Sequence, residues 1–142
     1  MPHSDNQAGD ERTVAGQSLA VLAESLYVAN LLILPFLAFI VLGIVFLKKR
    51  HGSAPLARSH LEQTMSASVA IAIMFFVCSV TVLLLKTWGM EDVTLWIFVV
   101  LIFTIIHATM VLLGVLGLAK AMSGKCWRYP VFGYALPPGC PE

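Results

Sequence analysis

Charge is scarce in this chain of 142 residues, where Asp, Glu, Lys and Arg make up 12 % against 58 % hydrophobic residues. A soluble domain of this length cannot bury that much apolar surface, which excludes a water-solvated globule. Groups that carry chemistry are sparse too. Three cysteines without a Cys-x-x-Cys, and four scattered histidines, offer no metal-ligand spacing. There is no glycine-rich phosphate loop, no pair of carboxylates on one helix face, and no Ser, His and Asp set that spacing singles out. The expectation is a protein that is no enzyme, carries no cofactor or metal, and has the lipid bilayer rather than nucleic acid as its first partner.

What the sequence does have is long uncharged runs. Ser25 to Leu47, Gln63 to Leu85 and Val93 to Ala119 each exceed the roughly 20 residues that a helix needs to cross a hydrocarbon core. The expected fold is all-α: a polytopic membrane protein of three transmembrane helices, spans 28–47, 65–85 and 93–119, with an N-terminal amphipathic extension. Residues 1–13 read as a flexible polar arm, 14–121 as the transmembrane domain and 122–142 as a cytoplasmic tail with an interfacial aromatic and basic anchor.

The few charges are unevenly placed. Lys48, Lys49, Arg50, His51 and Arg58 lie between the first two spans, and Lys120, Lys125 and Arg128 follow the third. The positive-inside bias assigns both segments to the cytoplasm. Asp5, Asp10 and Glu11 in the arm, and Glu91 and Asp92 in the turn after Lys86, fall on the other side. This predicts a multi-pass protein of the bacterial inner membrane, N-terminus outside and C-terminus inside. The arm has no basic n-region ahead of an apolar core, so the first span serves as the insertion signal.

Within the apolar runs, each polar residue has a local reading. Gln17, Ser18, Glu24 and Ser25 form one stripe on a helix over 14–29, which either lies on the membrane or extends the first span outward. Pro35 predicts a kink in that span. Ser66, Ala70 and Ala72 on the second span, and Ala108, Gly114 and Gly117 on the third, are small residues that let helix backbones approach closely. His107 is the one histidine inside a span, a weak candidate for haem ligation or proton relay and more simply a neutral side chain bonded to a neighbouring helix. His60 precedes the middle of its span by about 16 residues, about 24 Å along a helix, so the two cannot clamp one haem.

Ser59 and Glu62 stand at capping-box spacing, which predicts a helix start near Ser59. At the far end of the chain, Gly124 can stop the last helix in a left-handed cap, with Trp127 and Tyr129 anchoring at the interface. A disulfide between Cys126 and Cys140 is disfavoured in a reducing compartment.

The run Ala119-Lys120-Ala121-Met122-Ser123-Gly124-Lys125-Cys126-Trp127-Arg128-Tyr129-Pro130 resembles the close of a family of small bacterial membrane proteins of unknown function. That family is related to the twenty-kilodalton component of the chloroplast inner-envelope translocon. Lys48-Lys49, Ser53-Ala54-Pro55, and His60 with Gln63 are similar to its run into the next helix, and the likeness covers about residues 19 to 132. The chain departs from it at Glu24, often His in the family, and at Met65-Ser66, where the family has an Asn-Phe pair. The resemblance marks His60, Gln63, Gly124, Trp127, Arg128, Tyr129 and Pro130 as pattern or interface positions and implies no catalytic residue.

The function these features favour is a non-catalytic accessory or structural subunit, packed against other integral subunits of an inner-membrane energy-converting or transport complex. The alternative is a protein-translocation or channel component, although no span carries the polar stripe a pore wall needs. A third reading centres haem or proton transfer on His107.

Overall fold

The computed structural model describes residues 14–89 and 92–141; the arm 1–13 lies outside the described residues. Four helices follow in order, α1 (Gln17–Leu32), α2 (Pro35–Lys49), α3 (Pro55–Thr87) and α4 (Val93–Met122). All described regular structure is helical.

The expected first span is not one helix. Leu34 precedes proline, where the ring of Pro35 disfavours helical backbone, and it sits at φ −132°, ψ 68°. Pro35 then opens α2 at its first position, where a missing N–H costs nothing. The break is therefore a reversal rather than a kink. Two connecting residues bring α2 back along α1, with Ala23, Leu42 and Leu61 in one apolar cluster flanked by Leu19, Leu26, Val45 and Phe46.

At about 1.5 Å per residue, α1 and α2 are about 24 and 22 Å long, while α3 and α4 reach about 50 and 45 Å. Among the described residues, only α3 and α4 are long and apolar enough to cross a membrane. The three-span arrangement gives way to a short hairpin packed against one end of a long one.

This reversal also moves the N-terminal side. The Gln17 amide donates to the carbonyl of Met122 at 2.6 Å, and Gly16 lies against Ala54 and Ala57 at the start of α3. The starts of α1 and α3 and the ends of α2 and α4 thus share one end, here called the base. An arrangement with residue 14 outside and residue 124 inside does not fit these contacts. Seven of the nine Lys and Arg residues, all but Arg12 and Lys86, belong to the base segments.

Helix α1 neither lies on a surface nor extends a span. It is the central element, packed against each of the other three helices, and its buried face is Ala20, Ala23, Glu24, Tyr27 and Asn30. The polar stripe read from the sequence thus partly faces inward. Tyr27 anchors its far end in a cluster with Ala67, Ile71, Met110 and Tyr129. Beyond Ile71 on α3, and before Met110 on α4, no described residue is buried.

Helix α3 begins at Pro55, four residues before the expected Ser59. Glu62 does not close a capping box but pairs with Arg58 at 2.8 Å, and Ser59 is buried inside the helix without a side-chain partner. The proline explains the shift, since its fixed φ pre-organises a first turn. Helix α4 ends as expected: Gly124 takes φ +66°, with Gly124 N–H donating to Ala121 O at 3.0 Å and Lys125 N–H to Lys120 O at 2.9 Å. These two bonds are the Schellman arrangement, which needs a residue tolerant of positive φ.

Candidate functional site

The residues after Gly124 do not form a free tail. They fold back across the base of α3, and the bonds that hold them there define the polar centre of the molecule. The Ser66 hydroxyl donates to Phe132 O at 2.7 Å, and the Gln63 amide donates to Tyr134 O at 2.8 Å. The Gln63 carbonyl oxygen in turn accepts from Tyr129 N–H at 3.3 Å.

Tyr129 is thereby driven inward, with its ring edge-on to Tyr27 at 5.6 Å between centroids. Its hydroxyl donates to Glu24 Oε2 at 2.7 Å. It is 1 % exposed, which corrects the interfacial anchor expected at this position. Burial first, and the adjoining Glu24 second, raise the Tyr129 hydroxyl above its ordinary pKa.

Glu24 reaches the same point from α1, and His60 from the first turns of α3. Both are 0 % exposed. His60 Nδ1 lies 2.6 Å from Glu24 Oε1. His60 Nε2 faces the carbonyl of Lys125 at 3.0 Å; a carbonyl only accepts, so Nε2 carries a proton. One further proton is shared along the Nδ1 to Oε1 line, so the pair has no net charge whichever atom holds it. A lone buried carboxylate is very costly, and this pairing, with the bonds from Tyr129 and to Lys125 O on either side of it, is what lets Glu24 sit inside.

Helix α4 closes the site by having no side chain. A Cβ at Gly117 would lie 2.6 Å from Glu24 Oε2, and one at Gly114 would lie 2.8 Å from the Tyr27 ring. Both glycines are buried. Their sequence spacing marks them as helix-packing positions; what they admit is the Glu24 and Tyr27 side chains of α1.

The other expected positions are dispersed. Ser66 bonds the returning tail, Ala70 is half-buried, and Ala72 and Ala108 are exposed. Trp127 is half-buried against the Tyr27 and Tyr129 cluster, with Lys120 Nζ 6.0 Å from its ring centre. Arg128 and Pro130 are exposed, with Arg128 Nε donating to Gly133 O at 3.4 Å. His107 stacks on Phe103 of its own helix at 5.5 Å rather than bonding to a neighbouring one.

Two features were missed. Glu24 was visible as the sole acid in a long apolar stretch, and its partner as a histidine followed by Gln63 on the next helix. The chain reversal at Pro35 hid the encounter, because an unbroken span puts Glu24 at the end opposite His60. The second is the disulfide between Cys126 and Cys140, whose Cα atoms are 5.9 Å apart. It was disfavoured on compartment alone, but the fold returns Pro141 to Cys126, whose N–H donates to Pro141 O at 2.8 Å.

A model of the magnetosome magnetite crystal formation protein family, MamF/MmsF, matches residues 15–136. The chain belongs to that family. This corrects the resemblance to the translocon-related family, whose shared motif positions fall inside the matched region. The MamF/MmsF match begins just before α1 and takes in Glu24, His60, Tyr129 and the bonded tail through Tyr134. With two helices of membrane-crossing length and extensive exposed apolar surface, this member of the family is a membrane protein. No curated protein and no solved structure matches the chain.

Proposed function

We propose that this chain is a non-catalytic component of the magnetosome membrane that acts in magnetite crystal formation by packing against other membrane proteins there. The observation that carries the reading is the family match over residues 15–136, which spans the whole helical body. The buried centre supports the non-catalytic part. Glu24, His60 and Tyr129 are the residues of this centre that could do acid and base chemistry, and they are sealed at 0, 0 and 1 % exposure with their polar atoms bonded to one another and to the tail. A general base needs to reach its substrate. The far half of α3 and α4 supports the packing role, with Phe76, Leu83, Ile97, Phe98 and Ile105 all more than half exposed.

The charge bias puts the basic base in the cytoplasm in this reading, where reducing conditions oppose the Cys126–Cys140 bond, so the oxidised form belongs to protein isolated in air. The membrane is then the bacterial inner membrane or one continuous with it.

The test is complementation in a magnetite-forming bacterium stripped of its own copies of the family. The chain should co-purify with magnetosomes and restore crystal number and size in electron micrographs. A chain that inserts in the membrane yet stays out of magnetosomes and leaves crystals unchanged sinks the proposal. Thiol labelling of single cysteines placed at Arg50 and at Trp88 reports the orientation; labelling of Arg50→Cys only from outside reverses it.

A further inference from the structure

A second site lies at the base, apart from the buried centre. Between the start of α1, the end of α2 and the start of α3 is a cavity of about 480 Å³, lined among others by Gly16, Lys48, Lys49, His51, Gly52 and Ala57. Its charged lining is cationic throughout. The nearest acid on α3, Glu62, is held by Arg58, and Glu24 is paired with His60.

Three kinds of donor converge on it. Lys48 and Lys49 are exposed in the last turn of α2. His51 Nε2 accepts from Arg50 Nε at 2.8 Å, which leaves its Nδ1 as the nitrogen that bears hydrogen and can donate. Helix α3 starts without a side-chain cap and without an acid in its first turn, so the positive end of a 33-residue helix adds its field to the cations. These are the elements of a site for a phosphate group.

The surface leading away from the cavity identifies the bearer of that phosphate. Leu37, Ile40, Ile44 and Leu47 of α2 are 57, 57, 48 and 72 % exposed and follow one another at spacings of three and four. They form one apolar stripe that runs from the hairpin turn down to Lys48. An acyl chain laid along that stripe brings its headgroup to Lys48 and Lys49. We infer that this cavity binds the phosphate of an anionic phospholipid, with the acyl chain on the outer face of α2.

The experiment is native mass spectrometry of the full-length protein in neutral detergent, incubated with phosphatidylglycerol, phosphatidylcholine or inorganic phosphate. Phosphatidylglycerol should be retained about tenfold better than phosphatidylcholine, and the K48Q/K49Q variant should lose that preference. Gly52→Leu supplies a test that leaves the charge intact. A Cβ at Gly52 meets nothing within 4 Å, so the variant should fold, fill the cavity and lose the lipid. K120Q/K125Q, which removes two base cations outside the cavity, should change retention less than about twofold. Retention that survives both K48Q/K49Q and Gly52→Leu, or falls as far in K120Q/K125Q, overturns the site. Saturable inorganic phosphate that displaces the lipid overturns the lipid assignment.

Discussion

At the base, four helix ends and the returning tail meet around Glu24, His60, Gln63 and Tyr129. Beyond Ile71, where α3 runs on for about 24 Å at 1.5 Å per residue, two helices stand alone. Between them contact is light: Phe75 meets Phe103 edge-on at 5.1 Å, Lys86 lies over Trp96 at 5.2 Å, and a cavity of about 510 Å³ separates the two helices. The two regions are stabilised differently. Lipid is as apolar as a leucine side chain, so the far half gains little by packing and is defined chiefly by helix hydrogen bonds. The base is specified by directional bonds between groups that are costly to leave unpaired.

If this contrast is right, substitutions at the base should dominate the stability of the protein. The largest effect is expected at Glu24. Glu24→Ala leaves His60 buried without its partner and should cost about 3–5 kcal/mol, as should His60→Ala. The double variant should cost well below the sum, with an interaction energy of about 0.5–3 kcal/mol. Denaturation midpoints in detergent measure all three. Additive losses would mean that the two residues act separately.

Next in size is the disulfide. It closes a loop with a sequence separation of 14 residues, and a loop of that length is worth about 3 kcal/mol in the chain-entropy account. Oxidised protein should lose about that much on reduction, and Cys140→Ser should match the reduced wild type. A reduced protein as stable as the oxidised one would show that the hydrogen bonds of the tail to Glu24, His60, Gln63 and Ser66 hold it without the covalent bond.

Gly117→Ala should follow at about 1–3 kcal/mol, the cost of overpacking, since the new Cβ would press on the Glu24 carboxylate. Ala121, one turn on and also fully buried, already carries a Cβ. Replacing it by Gly instead loses helix propensity, about 1 kcal/mol, together with one buried methyl, about 0.8 kcal/mol.

At alkaline pH both Tyr27 and Tyr129, each raised by burial and then by Glu24, make the base pH-dependent, and Tyr129 can be isolated by substitution. Its folded-state pKa is raised, so its contribution is fully present below the unfolded value of about 10 and is lost as pH rises beyond it. Between pH 10 and 11 the wild type should lose up to about 1.4 kcal/mol more than Tyr129→Phe, which has no hydroxyl to ionise. Parallel pH profiles for the two proteins would place Tyr129 in contact with water.

How much of this was legible in the sequence differs between the same two regions. The far half follows from composition: α3 and α4 are continuous apolar runs and their connection is short. The base does not. The hydropathy of Ser25 to Leu47 is that of a single span, and only the local rule that disfavours helix before Pro35 argues for a reversal. Whether such a proline kinks or turns a helix depends on what the two arms can pack against. Here Ala20, Ala23 and Leu42 pack against α3 and α4, contacts that exist only after folding. His60, Gln63 and Tyr129 were marked by motif resemblance, but their meeting with Glu24 needs the reversal first. The disulfide was likewise invisible until the tail was seen to return.

The smallest effect is expected where the contrast is most exposed to failure. Val100, 57 % exposed on the far half of α4, faces lipid on this reading, and Val100→Ala should change stability by no more than about 0.5 kcal/mol. Phe98→Ala, 59 % exposed on the same helix, should behave alike. A loss above about 1 kcal/mol at either position would mean that the surface is covered by protein after all. Repeating the measurement over a hundredfold range of protein concentration then identifies the cover. A second copy of this chain makes the loss concentration-dependent, because association stabilises by mass action; contact within one chain does not.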